Sequence, residues 1–431
     1  MNMWGFLGPE FLPSTRRTRT LGLGASVRHF NDLAVPGLGG IWFGKQALLA
    51  TLGVLVAEQA RSNGVKVQNI EVANAIEALA CWLAFNGNGW SSDPRLRGNT
   101  KLRGNSDDFS FARVRQRNFY VTQPMRMATV QALPGLGFVD SESARFNAFR
   151  TSNMGKAFVD QACRDFRPYR RSVSQHLMMW VCGQDGRVTT DELREALSPL
   201  VPLASDARSL FRERLIQGGQ ENSEDKQRRR NALAWIEALQ RTKPAQLDWK
   251  VRPYEISESH WQDLIAGARF FASREAAIQV LDTLEAHIGN QALGAKHSLR
   301  MKVPDALNQP LNDLRKAAEE FLKAEHTDAD ANSFCRECAE KNASLALGSL
   351  VARDGHVLRL VGDEVSPGPA FRGSDTAHDE QNAEPDDPPA VGRIPLPDGI
   401  SYRMHNLYLL NVDLHGELSE LLHPDADGRR P

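Results

Sequence analysis

A chain of 431 residues with 41% hydrophobic and 24% charged residues has a globular composition and room for two or three domains. Its formal net charge of −1 excludes a global field that would draw in a polyanion, so any electrostatic surface has to be local. Five scattered cysteines (Cys81, Cys163, Cys182, Cys335, Cys338) do not form a disulfide framework and suit a reducing cytoplasm. The stretch MNMWGFLGPEFLPSTRRTRT lacks a basic-then-apolar signal pattern. The most apolar run, Ala47 to Ala57, is about half a bilayer span, so no membrane partner is expected.

Residues 1–44 are rich in Gly and Pro, carry Arg16, Arg17, Arg19 and Arg28, and read as an arm or extended lead-in. Within them Gly39 to Lys45 has the G-x-x-x-x-G-K spacing of a phosphate loop. Gln46 stands where Ser or Thr would hold Mg²⁺, no buried strand precedes the run, and Trp42 and Phe43 are too bulky to wrap a phosphate. The segment reads instead as an apolar lead-in to a helix. Two helices follow: Lys45 to Ser62, with Leu48, Leu52, Leu55 and Val56 on one stripe, and Val67 to Phe85, with Ile70, Ala73, Ile76, Leu79, Ala80 and Leu83 on another. Asn86 to Asp108 is a glycine-punctuated loop.

The stretch from Thr122 to Cys163 carries the most information. A short amphipathic helix, Met125 to Leu133, precedes a strand, Gly137 to Asp140, and a polar turn, Ser141 to Ala144. An alternating strand, Arg145 to Thr151, and a capped helix from Ser152 complete the order. This order resembles winged helix-turn-helix domains over residues 45–165, which implies a hairpin wing behind a recognition-type helix and binding to DNA or to a partner. Local charge agrees with that implication. Between Asn88 and Arg126 stand eight basic residues (Arg95, Arg97, Lys101, Arg103, Arg113, Arg115, Arg117 and Arg126) against three acidic ones. With Arg145 and Arg150 at the wing, they form the expected DNA-contacting set, able to neutralise phosphates.

Residues 166–343 read as a helical domain. Its candidate helices are Ser172 to Cys182, Thr190 to Leu197, Asp206 to Gln217, Asp225 to Gln240, Glu258 to Phe271, Arg274 to Ile288, Leu307 to Glu325 and Asn332 to Lys341. Thr190, Ser205 and Ser257 are placed to cap three of them. Arg171 and His176 have the R-x-x-x-x-H spacing that resembles the helical ribonucleases called HEPN domains. The resemblance implies a dimeric site in which His176 acts as acid or base and Arg171 steadies a phosphate; Ser172 departs from the amide-type residue expected after the arginine. Asp185-Gly186-Arg187 lacks the upstream Asp or Asn of a calcium loop. The basic run Lys226 to Arg230 reads as a solvated helix face. Cys335 and Cys338 have the spacing of half a zinc site without a second pair, and read as two thiols one turn apart on a helix.

Residues 344–431 read as a small β-containing region. Leu345 to Val365 alternates about Asp354-Gly355 as a hairpin, residues 366–397 form an acidic, Pro-rich loop, and Tyr402 to Leu414 reads as a further strand. The expectation is a mainly α (α+β) protein: an arm over 1–44, a winged helix over 45–165, a helical domain over 166–343 and this region. It is expected to be a non-catalytic DNA-binding or scaffold subunit of a larger bacterial assembly, of a phage-defence or mobile-element kind. Its partners are duplex DNA and other protein subunits, with no metal or cofactor required. The alternatives are a ribonuclease using Arg171 and His176, and a protein–protein adaptor.

Overall fold

The computed structural model describes residues 19–104, 108–219, 222–244, 247–291, 294–373 and 394–423. The fold is mainly α, with a two-stranded and a three-stranded antiparallel sheet among the described residues. The chain divides into two units, one of residues 30–265 with 384–431, the other of residues 1–29 with 266–383. This replaces the linear boundaries expected at 165 and 343. The reason is burial: Trp180, Trp235 and Leu407 belong to the same apolar cluster as Leu48 and Leu79.

The expected arm contains a helix, α1 (Gly24–Ala34), because Phe30, Ala34, Val35 and Leu38 all have an interior to enter. Arg16 and Arg17 lie outside the described residues. The next two helices fall close to expectation as α2 (Gly44–Ser62) and α3 (Asn69–Gly87). Instead of a single stripe, α2 buries every residue from Gly44 to Val54. It crosses α3 at Gly53, where an added Cβ would lie 2.5 Å from the Ala73 Cα, so no larger residue fits without moving backbone.

A helix buried all round must have its first N–H groups satisfied from within. The Asp413 carboxylate accepts from the Gly44 N–H at 2.8 Å, and the Gln46 side chain accepts from the Trp42 N–H at 2.9 Å. Lys45 Nζ donates to the Ala196 carbonyl at 2.6 Å, at the C-terminal end of the helix Asp191–Leu197. The groups that mimic a phosphate loop are therefore spent on protein, in keeping with the bulk of Trp42 and Phe43. Burial raises the Asp413 carboxyl above its ordinary value and lowers the Lys45 ammonium to about 8.

In α3 the buried Glu77 carboxylate accepts from the Met125 N–H at 2.7 Å, the Arg126 N–H at 3.1 Å and the Tyr120 hydroxyl at 3.0 Å. It thereby anchors the segment expected as a helix over Met125 to Leu133. That segment is a five-residue 3₁₀ turn, Met125–Thr129, followed by a short α turn, Ala132–Gly135. Strand β1 (Val139–Asp140) pairs with β2 (Arg150–Thr151), Val139 opposite Thr151 and Asp140 opposite Arg150. The expected strand Arg145 to Thr151 is interrupted by a 3₁₀ turn, Phe146–Ala148. Phe146 and Phe149 are both buried, and side chains three residues apart reach one face from a helical turn, not from a strand. Asn69 Nδ2 donates to both their carbonyls and holds the turn. Ser152 caps the following helix, Asn153–Cys163, by accepting from the Gly155 N–H.

Downstream the helices Val173–Val181, Asp191–Leu197, Ser205–Gln217 and Ser223–Thr242 match expectation within a few residues. Thr190 caps its helix through the Leu193 N–H, whereas Ser205 lies inside the helix it was expected to cap. The two helices expected over Glu258 to Ile288 are one, Glu258–Gly289.

Two expected β elements are helices. Tyr402–His415 is a helix where Tyr402 to Leu414 is expected as a strand: Met404, Leu407, Leu410 and Leu414 fall at helical spacing and Asn406, Asn411 and Asp413 are buried beside them. Its alternation reflects burial on all sides. Likewise Ala343–Asp354 is a helix that buries Ala346, Leu347, Leu350 and Val351 and ends at Gly355, at φ +60°. Asp354-Gly355 is thus a helix end rather than a hairpin turn. The true hairpin turns at Gly362, between β4 (Leu358–Val361) and β5 (Glu364–Pro367), and β5 also pairs with β3 (His297–Ser298). Most of the acidic loop 366–397 lies outside the described residues.

In the unit of residues 1–29 and 266–383 the core carries a charge cluster. Buried Arg19 donates to Glu285 at 2.6 Å and to Asp354 at 2.9 Å, with Asp282 at 3.3 Å. Glu285 also accepts from the Arg372 and Gly373 N–H groups. Among the described residues, no helix is long and apolar enough to cross a membrane.

Two outcomes follow from these buried charges. Arg19→Ala leaves Glu285 and Asp354 charged and short of a partner, and is expected to cost about 3–5 kcal/mol in chemical denaturation. For Glu77, burial raises the carboxyl above its ordinary 4.5 against the pull of its hydrogen bonds. The folded state therefore binds this proton more tightly than the unfolded state. Its contribution is full below pH 4.5 and is lost as the pH rises through the raised value. Glu77→Gln is expected to flatten that decline in a pH series of unfolding free energies.

Candidate nucleic-acid interface

The expected DNA-contacting residues separate into three environments. Arg95 is buried: it holds Asp93 bidentately, Nε at 3.0 Å and an Nη at 2.8 Å, and donates to Ser419 at 2.9 Å. It has no surface for a phosphate, so it leaves the expected set. The reason is that Asp93, two residues earlier, recruits it before any ligand can.

A second group is engaged but partly open. Arg115 pairs with Glu71 and lies over the Phe111 ring. Arg126 is half-buried, donates to Asn74 and lies over the Phe146 ring, with burial lowering its pKa. Arg97 and Arg113 are half-buried. Lys101 is exposed with its ammonium donating to the Tyr120 carbonyl at 3.2 Å, and exposed Arg103 sits 5.7 Å from the Trp90 ring centre. A phosphate could still reach the outer N–H groups of these side chains.

Arg117, Arg145 and Arg150 form the third group and are exposed. Arg145 and Arg150 flank the 3₁₀ turn whose phenylalanines are sunk in the core, so the backbone that carries them is held rigidly. Arg150 also faces Asp140 across the two-residue ladder, which offsets part of its charge.

Cations that sequence reasoning missed lie beside the hairpin. A cleft of about 680 Å³ is walled by Arg61, Gln68, Asp140, Glu142 and Arg150. A second, of about 500 Å³, shares Arg61 and Gln68 and adds Lys66 and Arg115. Arg61 ends α2 and donates to the Val67 carbonyl and to Asn69 Oδ1; Lys66 sits in the following loop. No local pattern marks them, because the fold alone brings the end of α2 next to residues 140–150.

The Arg171 and His176 pair is not an open acid–base couple. Arg171 donates to Asp185 at 2.7 Å, and His176 is buried, its Nε2 2.7 Å from the Arg187 carbonyl and its ring stacked on Tyr169. Burial lowers the His176 pKa, so the ring is neutral at pH 7 and has no exposed edge to exchange a proton. Arg187 and Arg171 hold the Asp185 carboxyl far below the ordinary range, with Arg187 4.0 Å from the Tyr169 ring centre. Tyr169 and Arg170 both adopt left-handed backbone, at φ +51° and +64°, which stores strain in this exposed loop.

Cys335 and Cys338 are free, buried thiols on the helix Ala329–Cys338, and burial pushes Cys335 up to about 12. Among the described residues no group of three His, Cys, Asp or Glu side chains is placed to hold a metal ion.

The chain matches no protein-family model, no curated protein and no solved structure.

Proposed function

We propose that this protein is a non-catalytic DNA-binding or scaffold subunit that contacts the phosphate backbone through the hairpin at 139–151 and the exposed arginines before it. The observation that carries the reading is the hairpin itself. Arg145 and Arg150 project from a turn pinned by buried Phe146 and Phe149 and by the Asn69 side chain. A preorganised cationic projection binds a polyanion without first ordering a loop. Arg103 and Arg117 add exposed charge from the preceding segment. Binding of this kind is weak, tolerant of sequence and steeply dependent on salt.

Gel shift of a labelled duplex at two salt concentrations tests the reading. The triple variant Arg117→Glu, Arg145→Glu, Arg150→Glu touches exposed side chains and is expected to fold normally. Its affinity should fall by about 10- to 100-fold at low salt, with a salt slope shallower by ~0.9 for each phosphate that is no longer neutralised. Unchanged affinity would remove duplex DNA as the ligand of this surface. A salt-insensitive interaction with other subunits would then leave the scaffold role standing.

A further inference from the structure

Three arginines crowd into one turn after the helix Asn153–Cys163. The Arg170 N–H donates to the Arg167 carbonyl at 2.9 Å, and the Arg171 N–H to the Pro168 carbonyl at 3.1 Å. Bonds of this span keep Arg167, Arg170 and Arg171 within a single reversal of the chain. Arg167 and Arg170 are exposed, and among the described residues neither side chain has an ion pair or a hydrogen bond. A fourth arginine joins them from further along the chain. Arg171 and Arg187 both donate to Asp185 Oδ2, each at 2.7 Å, so one buried carboxylate holds two guanidiniums side by side.

The charge of this cluster is not cancelled within the fold. Arg164 is taken by Asp160 and Asp206. Without it, residues 165–187 set four guanidiniums against two carboxylates, Asp185 and the exposed Asp165. Like charges one turn apart repel, and the left-handed backbone of Tyr169 and Arg170 adds strain to the same turn. An anion outside the protein relieves the repulsion, and a planar guanidinium with paired N–H groups matches a phosphate bidentately. The Tyr169 ring takes no part in that contact. It packs against the Arg187 guanidinium and stacks on His176, so it is a prop for the turn and not a platform for a base.

Position relates this turn to the hairpin. Strand β2 runs directly into the helix Asn153–Cys163, and the arginine turn begins four residues after that helix ends. Eleven helical residues set the two ends about 16 Å apart. Asn153, Lys156, Asp160 and Arg164 are exposed at helical spacing, so one outer face of the helix connects them. At ~3.4 Å per base pair this interval is about five base pairs of a duplex. We infer that the turn Arg167–Arg171, together with Arg187, is a second contact for the phosphate backbone of duplex DNA, about five base pairs from the hairpin. The inference rests on the reading of the hairpin given above and adds a separate point of contact to it. Two cationic points at the ends of one helix suit a polymer with a phosphate at every step. A phosphorylated protein segment offers a single dianion and would use the turn alone.

Fluorescence anisotropy with the intact chain tests this, using a labelled blunt duplex at two salt concentrations and, separately, a labelled phosphoserine peptide. The variant Arg167→Ala, Arg170→Ala removes two side chains without partners in the fold, and circular dichroism verifies that it is folded. Its duplex affinity should fall about tenfold at low salt, with a salt slope shallower by ~1.8 for the two phosphates released. Combined with Arg145→Glu, Arg150→Glu the losses should multiply, because the two points act independently. Unchanged duplex affinity and slope in the folded turn variant overturn the second contact and leave the hairpin reading intact. Weaker binding with an unchanged slope overturns it too, since that is a structural effect and not a lost phosphate. Loss of the phosphoserine peptide with duplex binding retained assigns the turn to a phosphorylated protein and also overturns it. If the hairpin variant keeps full duplex affinity while the turn variant loses it, the hairpin reading falls and the contact at the turn stands. If the unaltered protein does not bind duplex, both fall.

Discussion

The segment that leads into the hairpin of the larger unit hangs from one buried carboxylate. Glu77 sits in the middle of α3, without access to water, and collects two backbone N–H groups and a phenol from a segment with little regular structure of its own. The described residues between 88 and 131 lie mostly in turns and short helices, which cannot satisfy their own backbone. The carboxylate supplies what the segment lacks. It also sets the position of the Met125–Thr129 turn, against which the glycines Gly39 and Gly40 close, through a 2.9 Å bond from the Gly40 N–H to the Ala128 carbonyl. An unpaired charge at this depth would cost several kcal/mol, so Glu77 is tolerable only because its acceptor sites are filled.

The same logic recurs at the start of α2 and around Arg19. Asp413 comes from a helix more than three hundred residues away in sequence to receive the Gly44 N–H, and Arg19 gathers Glu285 and Asp354 from two separate helices. Each is a long-range polar tie in an apolar setting, where a hydrogen bond to a charged group is strong and its loss severe. Such ties also occupy the groups of the motif-like strings. The G-x-x-x-x-G-K run is closed by Asp413 and Ala196, and Arg171 is occupied by Asp185.

The chain's own sequence determined the mainly α class, most of the helices between residues 44 and 289, the Ser152 and Thr190 caps and the turn at 141–144. These depend on interactions within four or five residues, so spacing and capping chemistry suffice to read them. Tertiary structure alone decided the rest. Tyr402 to His415 is apolar enough to pass for a strand, and it is a helix because surrounding helices bury it on every side. Phe146 and Phe149 break the wing strand because both must enter one core. Arg95 is buried by its pairing with Asp93, and Arg61 and Lys66 come to lie near the hairpin because folding sets the end of α2 beside it. Local sequence specifies which backbone shapes are accessible; which side chains keep their charge facing outward is settled by partners far along the chain.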